Sequence, residues 1–368
     1  MAHIIRRKRL YITDPPFTTF LFWTMHALEL FRVLFKPVKG LRKFCRSKKV
    51  QVSRRREAIH GYQVIKKGGG LLELKNKPGR VDGLEVTILV DDYAGYGSDF
   101  LGSHGVAILL KVSSGGTVKR ILMDVGKFSL PLFNNMALAG VAASDVDMLF
   151  LSHCHRDHTW AIDDFLKRAD KQMPIVGHPG IFRDNFRLEP FVQNIGMTAK
   201  TTKGRISDLG GQLLLTSEAF GLMEGVFSTG EVERVTDFEG KGIGTYNLKE
   251  GEMIPDRIND DMSIVINIKG RGLFIVTGCS HVGIVNIVRH SVNITGINKV
   301  YGIIGGFHLV NADDETIEKT VHHLQKFNPE IIVPGHCTGH KAQCVISAVF
   351  GERYKGMHAG MKLNIDAV

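Results

Sequence analysis

Residues 148–159 read Met-Leu-Phe-Leu-Ser-His-Cys-His-Arg-Asp-His-Thr, and this stretch decides how the chain is interpreted. Five apolar or small residues lead directly into three histidines and one aspartate, which predicts a buried strand that ends in a polar loop. Imidazole nitrogens and carboxylate oxygens are ligands for zinc and related ions. We therefore expect a metal-binding loop here. The alternative is a strand end that is rich in histidine without binding a metal.

The spacing within this loop predicts two ions rather than one. In an extended segment alternate residues project to the same side, so His153 and His155 can share one ion. Asp157 and His158 follow where the chain bends towards the next helix, so they can serve a second ion. Asp157 is also expected to orient the attacking group.

The histidine loop, together with apolar segments that end in polar residues at 120–126, 272–281 and 331–339, resembles the metallo-β-lactamase superfamily of binuclear metal-dependent hydrolases. The resemblance extends over roughly residues 84–350. It implies an α/β fold, the four-layer αββα sandwich, with the active site along the shared edge of the two sheets. It also implies two divalent ions, with zinc expected and manganese or iron as alternatives. These ions would activate water for attack on a phosphorylated or ester-type small molecule.

By this resemblance, Asp124 would hold the histidine loop through hydrogen bonds, and His336 would complete the second metal site. The chain departs from the superfamily pattern at two positions. Cys279 stands where most members have an aspartate that bridges the two ions, and it is interpreted either as a thiolate ligand or as a small buried residue. No histidine lies near Asp261, where the third motif usually has one. His281 is therefore expected to replace that ligand, with Cys279 and Asp261 as alternatives.

These departures are similar to one subgroup of the superfamily, named after the archaeal dihydropterin ribofuranosylaminobenzene 5′-phosphate synthase. The segments that carry this resemblance are 103–105, 228–234, 277–286, 305–309 and 334–339. If the resemblance extends to the chemistry, the ions would bind a diphosphate leaving group while an arylamine attacks a methylene carbon. A hydrolase and a synthase are thus two hypotheses that differ in their products.

Four further residues are candidates for contacts with the substrate or the reacting groups. His308 follows an apolar strand and a pair of glycines, and it is expected to act as a proton donor or to contact the transition state. His104 is expected to contact the substrate; for both histidines, a structural role is the alternative. The family resemblance implies that Glu231 and Arg234 lie on a loop that could cover the cleft, where Arg234 could bind phosphate. Solvated loop charges are the alternative for this pair.

Charge divides the 368-residue chain into two parts. Residues 1–56 hold fifteen Lys and Arg against Asp14 and Glu29, a net charge of +13, so the remaining residues carry −3 of the total of +10. We therefore predict a basic N-terminal extension over residues 1–75 and a catalytic domain over residues 76–368.

The five cysteines are odd in number and three of them lie in the metal motifs. A disulfide framework is therefore not expected, and a cytoplasmic location is.

An apolar segment over about residues 17–36 predicts a helix within this extension. It contains Glu29 and Arg32, each of which costs about 2.5–3.5 kcal/mol at the centre of a bilayer. We expect residues 1–56 to contact an anionic membrane surface peripherally; the alternatives are packing on the domain or on a second subunit, and a spanning helix.

Nucleic acid is not expected as a partner, because no stacking aromatic residues lie among the basic ones. A membrane-tethered sensor without catalytic activity is a third functional hypothesis, and the oligomeric state is open.

Overall fold

The computed structural model describes residues 78–368, so the predicted N-terminal helix lies outside the described residues. The strands within this range are β1 (Gly83–Val90), β2 (Ala107–Ser114), β3 (Thr117–Met123), β4 (Met148–Phe150), β5 (Met173–Gly177), β6 (Phe186–Arg187), β7 (Gln193–Asn194), β8 (Gly211–Leu215), β9 (Phe220–Met223), β10 (Val226–Ser228), β11 (Thr245–Lys249), β12 (Glu252–Pro255), β13 (Ile264–Ile268), β14 (Gly272–Thr277), β15 (Val300–Gly306), β16 (Ile331–Gly335) and β17 (Lys362–Asp366). The helices are α1 (Ser129–Ala139), α2 (Arg156–Thr159), α3 (Ile162–Ala169), α4 (Lys203–Asp208), α5 (Ile284–Thr295), α6 (Asp314–Phe327) and α7 (His340–Phe350).

Seven strands form the first sheet, in the order β17-β1-β2-β3-β4-β5-β8. Strands β3, β4, β5 and β8 pair in parallel, so their carboxyl ends lie at one edge. Every residue of β4 is buried, as the continuous apolar run Met148–Phe150 predicts for a strand inside a parallel sheet. Asp124 and the histidine loop leave this edge directly after β3 and β4.

The second sheet has six strands, in the order β16-β15-β14-β13-β10-β9. Strands β14, β15 and β16 pair in parallel, and they are followed by the segments that contain His281, His308 and His336. A third, smaller sheet has the order β12-β11-β6-β7. The parallel strands of both large sheets therefore end in loops that carry the predicted site residues, as is usual for functional loops on a rigid scaffold.

Apolar side chains from the two large sheets pack face to face. Val86 and Ile108 of the first sheet belong to the same buried cluster as Ile264 and Phe274 of the second. Each such side chain contributes about 1.5–3 kcal/mol when fully removed from water. This cluster is the centre of the fold, and it holds the two strand edges in register with each other.

Helices cover the outer face of each large sheet. Helix α3 shows why: its buried residues Ile162, Phe165, Leu166 and Ala169 recur at helical spacing and pack on the first sheet together with α1. Helices α5, α6 and α7 pack on the second sheet in the same way. The predicted four-layer αββα sandwich is thus confirmed. Within residues 78–368, no helix has the length and apolar character needed to cross a membrane.

Candidate metal centre

The histidine loop follows β4 and turns at once into the short helix α2. His155 is the last extended residue before the helix, with φ −64° and ψ 146°, and its main-chain oxygen accepts a hydrogen bond from Thr159 Oγ1 at 3.0 Å. Asp157 and His158 lie in the first turn of α2. The change from extended to helical backbone separates them from His153 and His155, which point to a different group of donor atoms.

Three imidazole nitrogens meet in what we call the three-histidine group. Nε2 of His153 lies 3.1 Å from Nδ1 of His155, and Nε2 of His281 lies 3.2 Å and 3.1 Å from these two atoms. All three side chains are buried. His281 comes from the loop after β14, so the group joins the two sheets. The structure therefore brings together the three residues that the sequence predicted for the first ion.

The three-histidine group fits a tetrahedral metal ion. A zinc–nitrogen distance of ~2.1 Å places ligand nitrogens ~3.4 Å apart around such an ion, close to the observed separations. Ser152 Oγ lies 2.9 Å from Nδ1 of His153, so that nitrogen has a partner and Nε2 can present a lone pair. Burial lowers the pKa of His153 and His281 well below the usual range, and that of His155 to about 4. All three imidazoles are therefore neutral at pH 7, which is the form that binds metal.

Asp157, His158, Cys279 and His336 form a second set, which we call the mixed-donor group. Each offers one donor atom, and these atoms lie within 4.8 Å of one another. Oδ2 of Asp157 is 3.7 Å from Nε2 of His158 and 3.3 Å from Nε2 of His336. Burial opposes charge on Asp157, but the two histidines outweigh it and hold the pKa of this carboxyl well below its usual range. An ionised carboxylate, two imidazoles and a thiol suit zinc or a related divalent ion.

Asp124 supports both donor groups through hydrogen bonds. Its carboxylate accepts from Nδ1 of His158 at 2.6 Å and from Ser152 Oγ at 2.6 Å, and Ser152 N donates to its other oxygen at 2.8 Å. Ser152 in turn contacts His153, as described above. Burial opposes charge on His158, but the Asp124 carboxylate raises the pKa of this imidazole. The arrangement fixes which nitrogen of His158 faces Asp157.

Cys279 lies between the two groups and His308 lies beside it. Sγ of Cys279 is 3.1 Å from Nε2 of His158, and it also falls within 4.8 Å of donor atoms of His281 and His308. The rings of His281 and His308 have centroids 4.2 Å apart. Cys279 therefore lies between the two donor groups, and His308 borders the same position. Whether Cys279 is a thiolate ligand or a small buried residue stays a prediction.

Asp261 belongs to neither donor group; its carboxylate instead accepts a hydrogen bond from the main chain. Its Oδ2 accepts from the main-chain nitrogen of Val282, the residue after His281, at 3.0 Å, and burial raises its pKa to about 7. The neighbouring Asp260 accepts from Cys154 N at 2.8 Å, inside the histidine loop. The two aspartates thus anchor the loops that carry His153, His155 and His281.

Asp92 is a member of the site that the sequence analysis missed. Its Oδ1 accepts from Nδ1 of His104 at 2.8 Å, and its Oδ2 accepts from Nδ1 of His336. Burial opposes charge on Asp92, but these hydrogen bonds outweigh it and hold its pKa below the usual range. Asp91 beside it accepts from His336 N at 2.9 Å. The available signal was a pair of carboxylates directly after the apolar end of β1, the same strand-end pattern that marks the other motifs.

His104 is half-exposed and turns its Nε2 towards the mixed-donor group, 3.4 Å from Oδ2 of Asp157. A close backbone approach makes this contact feasible: Val106 N donates to Asp157 O at 3.2 Å. Gly105 has φ +136°, and a Cβ there would lie only 2.2 Å from the same oxygen. The predicted contact of His104 with the reacting groups is therefore geometrically available.

Four residues around the donor atoms have left-handed backbone although none is glycine. They follow β3, β14, β15 and β16, and their φ angles are 60° for Asp124, 59° for Ser280, 47° for His308 and 47° for His336. Such conformations cost of order 1–3 kcal/mol each and persist only where the surrounding structure enforces them. The turns that present the donors are thus held by the packed sheets.

The loop with Glu231 and Arg234 lies apart from the donor groups. Arg234 donates from Nε to Gly240 O at 3.0 Å and from Nη1 to Asn259 Oδ1 at 2.9 Å, so its guanidinium ties this loop to the segment before β13. Glu231 Oε2 lies 3.6 Å from Nε2 of His178. The structure does not bring these two side chains to the donor atoms, and their expected contact with substrate stays a prediction.

The chain is similar to known proteins both in sequence and in fold. No family model matches the chain. The chain is 42% identical over 285 residues to the 7,8-dihydropterin-6-methyl-4-(β-D-ribofuranosyl)-aminobenzene-5′-phosphate synthase of Methanocaldococcus jannaschii, covering 77% of this chain and 97% of that protein. An uncharacterized protein of the same organism is 29% identical over 262 residues, which cover 71% of this chain and 93% of the relative. A crystal structure of a metal-dependent hydrolase of the beta-lactamase superfamily matches with a TM-score of 0.64 at 23% identity, covering 77% of this chain and 99% of that chain.

The likeness to the solved hydrolase shows the fold. The chain has the fold of the metallo-β-lactamase superfamily, and the two donor groups lie at the ends of its strands. At the level of sequence it belongs to the family of the archaeal 7,8-dihydropterin-6-methyl-4-(β-D-ribofuranosyl)-aminobenzene-5′-phosphate synthase. A divalent metal and a small-molecule substrate accord with both.

Proposed function

We propose that this chain is a binuclear metal-dependent transferase that joins the 6-methylene carbon of a 7,8-dihydropterin to the nitrogen of a ribofuranosylaminobenzene 5′-phosphate. The observation that carries the proposal is the 42% identity to the synthase over 97% of its length. In this reaction the carbon–oxygen bond to a diphosphate leaving group breaks, the carbon–nitrogen bond forms, and one proton leaves the amine.

The residues present fit two divalent ions, for which zinc is the proposed metal. The three-histidine group would hold one, and the mixed-donor group the other, with Cys279 between them. When bound, such ions supply Lewis-acid stabilisation of the negative charge that develops on phosphoryl oxygens. The neutral imidazoles of the three-histidine group and the ionised Asp157 are in the protonation states that metal binding needs.

His308 is the proposed proton acceptor for the arylamine. Its Nδ1 is buried, and within the described residues it has no hydrogen-bond partner. Its ring borders both Cys279 and a cleft large enough for a small molecule. Proton transfer by a positioned imidazole contributes about 10²–10⁴-fold to rates of this kind.

Hydrolysis of a phosphorylated or ester-type small molecule is the second candidate function. It is favoured by the exposure of His104, whose side chain is 56% accessible while its Nε2 lies 3.4 Å from Asp157 Oδ2. Solvent water thus has a route to the mixed-donor group. Water as nucleophile would give an alcohol and diphosphate from the same pterin substrate.

One experiment separates the two. The zinc-loaded full chain is incubated with a 7,8-dihydropterin-6-methyl diphosphate, with and without the ribofuranosylaminobenzene phosphate, and products are identified by mass spectrometry. A condensation product that needs both substrates supports the transferase. Release of diphosphate at the same rate without the arylamine, with 6-hydroxymethyl-dihydropterin as the product, would replace it by the hydrolase. An inactive protein with both ions bound would contradict both.

A further inference from the structure

A cleft of about 400 Å³ adjoins the donor groups on the side of His281 and His308. The opposite wall is the loop of residues 238–243, and the start of α6 closes one end. Apolar surface from Phe238, Phe307, Leu309 and Ile243 alternates with polar groups in the lining. A concave site of this size and mixed character is typical for a small organic ligand.

A half-buried carboxylate, that of Glu239, fixes the loop wall to the fold. Glu239 Oε1 accepts from Asn286 N at 2.7 Å and from Thr236 Oγ1 at 3.2 Å, and its Oε2 accepts from Val285 N at 3.2 Å. Val285 and Asn286 lie in the first turn of α5, whose main-chain donors have no partners within the helix. Glu239 therefore caps α5 from a loop about 45 residues earlier in the chain.

Asn286, at the start of α5, in turn bonds to the loop that carries Glu239. Its Oδ1 accepts from Val235 N at 3.0 Å and Thr236 N at 3.1 Å, and its Nδ2 donates to Val282 O at 2.8 Å. Gly283 makes room for the exchange, because a Cβ there would lie within 2.5 Å of the Glu239 carboxylate, and its φ of +100° also suits glycine. These reciprocal bonds, which we call the Glu239–Asn286 clasp, tie the cleft wall to the segment that follows His281.

The clasp is well placed to shape the cleft without holding the metals. The hydrogen bonds of its two side chains go to the loop, to the start of α5 and to Val282 O. The donor atoms are oriented by other residues, namely Asp124, Ser152 and Asp92. Removal of either side chain takes away two or three of these hydrogen bonds between the loop and the start of α5. Such a loss is expected to release the loop before it disturbs the donor groups.

We propose that this cleft binds the planar ring of the substrate while its phosphoryl group lies at the donor groups, and that Glu239 and Asn286 are positioning residues that fix the ring-binding wall. The proposal rests on the proposed function for the site of the phosphoryl group. The shared ligand chemistry is a flat aromatic ring with polar edges, which both a reduced pterin and an aminobenzene possess.

The test measures ring binding directly, so that it does not depend on turnover. Two probes, 6-hydroxymethyl-7,8-dihydropterin and 4-aminobenzoate, are titrated by fluorescence or equilibrium dialysis into the zinc-loaded full chain. The variants are Glu239→Ala, Glu239→Gln and Asn286→Ala, with Asp237→Asn as a matched control because Asp237 is exposed on the same loop. Metal content is measured for each. Ala312→Trp, in the cleft lining, blocks the cleft while leaving the clasp intact.

At least one probe is expected to bind the wild type. Glu239→Ala and Asn286→Ala should weaken that binding by about tenfold or more with full metal content. Glu239→Gln should restore part of it because it keeps one acceptor oxygen, Ala312→Trp should abolish it, and Asp237→Asn should leave it unchanged. Which probe binds decides between the pterin and the aminobenzene ring.

Three results would overturn the proposal: a wild type that binds neither ring, unchanged ring affinity in both Ala312→Trp and Glu239→Gln, or loss of metal together with ring binding in Glu239→Gln. If the clasp variants to alanine fail to fold, Ala312→Trp and Glu239→Gln still decide the outcome. Ring binding without any condensation product would leave this inference standing and remove the proposed reaction instead.

Discussion

Asp124 accepts a hydrogen bond from Nδ1 of His158 at 2.6 Å, and both side chains are fully buried. Because Nδ1 bonds to Asp124, Nε2 is the nitrogen of His158 that faces Asp157 and Cys279. A carboxylate that fixes the tautomer of a neighbouring imidazole in this way raises the affinity of that imidazole for a metal ion. The same arrangement is found on the other side of the mixed-donor group, where Asp92 accepts a hydrogen bond from Nδ1 of His336.

Substitutions in the two donor groups should deplete different ions. His153→Ala, His155→Ala and His281→Ala are expected to lose the ion of the three-histidine group, and Asp157→Ala and His336→Ala that of the mixed-donor group, since each removes one of only three or four donors. Elemental analysis after dialysis against limiting chelator measures this. Full metal content in the His153→Ala, His155→Ala double variant would refute the assignment.

Cys279→Ser should be milder than His281→Ala. A serine hydroxyl retains a small donor between the groups, whereas His281→Ala removes one of three nitrogens that lie 3.1–3.2 Å apart. Cobalt substitution gives the readout, because thiolate ligation adds a charge-transfer band that Cys279→Ser would remove. If His281→Ala keeps its metal and only turnover falls, His281 belongs with the substrate contacts.

Asp92→Asn should lower metal affinity by about 10–100-fold, the usual range for loss of a carboxylate that orients a ligand imidazole. The amide can no longer accept from both His104 and His336. Competition with a fluorescent chelator measures the affinity. Asp99→Asn is the matched control, since Asp99 is exposed on the same segment; equal affinities in the two variants would exclude the role of Asp92.

The Glu239→Gln variant should gain stability relative to the wild type as the pH rises. Burial raises the pKa of Glu239 to about 7, so the folded protein retains a proton that the unfolded chain releases above its ordinary pKa of 4.5. The stability this provides is complete below pH 4.5 and is lost as the pH rises through about 7. Urea unfolding at about pH 5 and pH 8 compares the two proteins. A free-energy difference that is the same at both values would contradict this pKa.

Removal of residues 1–56 should leave folding, metal content and turnover intact, because both donor groups lie within residues 78–368. It takes away a net charge of +13, so binding to anionic vesicles should fall sharply. The intact chain should bind such vesicles less as salt rises, since charges are screened beyond roughly 8–10 Å at physiological ionic strength. A truncated protein that aggregates, with an intact chain that ignores vesicles at low salt, would point to packing or a subunit interface.

Helices and strands could be predicted from the sequence where their polar and apolar residues alternate with a regular period, and not elsewhere. The polar and apolar residues of 314–327 recur with helical period, which predicts a helix, and α6 spans the same residues. Helix α5 was not predicted: eight of its twelve residues are buried, so it lacks a wide polar face. The apolar run that predicts strand β3 begins at Ile121, whereas the strand itself begins at Thr117, because its first three residues are exposed.

The site was predictable to the extent that its members are close in sequence. His153, His155, Asp157 and His158 share one loop, and the structure divides them between the two groups as the spacing predicted. Asp92 was missed because its partner His336 lies 244 positions away. Only the order of strands across two sheets brings such residues together, and local periodicity carries no information about that order.

The left-handed turns at Asp124, Ser280, His308 and His336 bear on how such a centre can diverge. The shape of each turn resides in the main chain and in the sheets beneath it, so a donor can be exchanged without rebuilding the loop. A cysteine can then stand where an aspartate would bridge, and a histidine can come from the end of β14 instead of the segment before β13. On this scaffold, single substitutions can therefore change the set of metal ligands while the backbone of the loops stays the same.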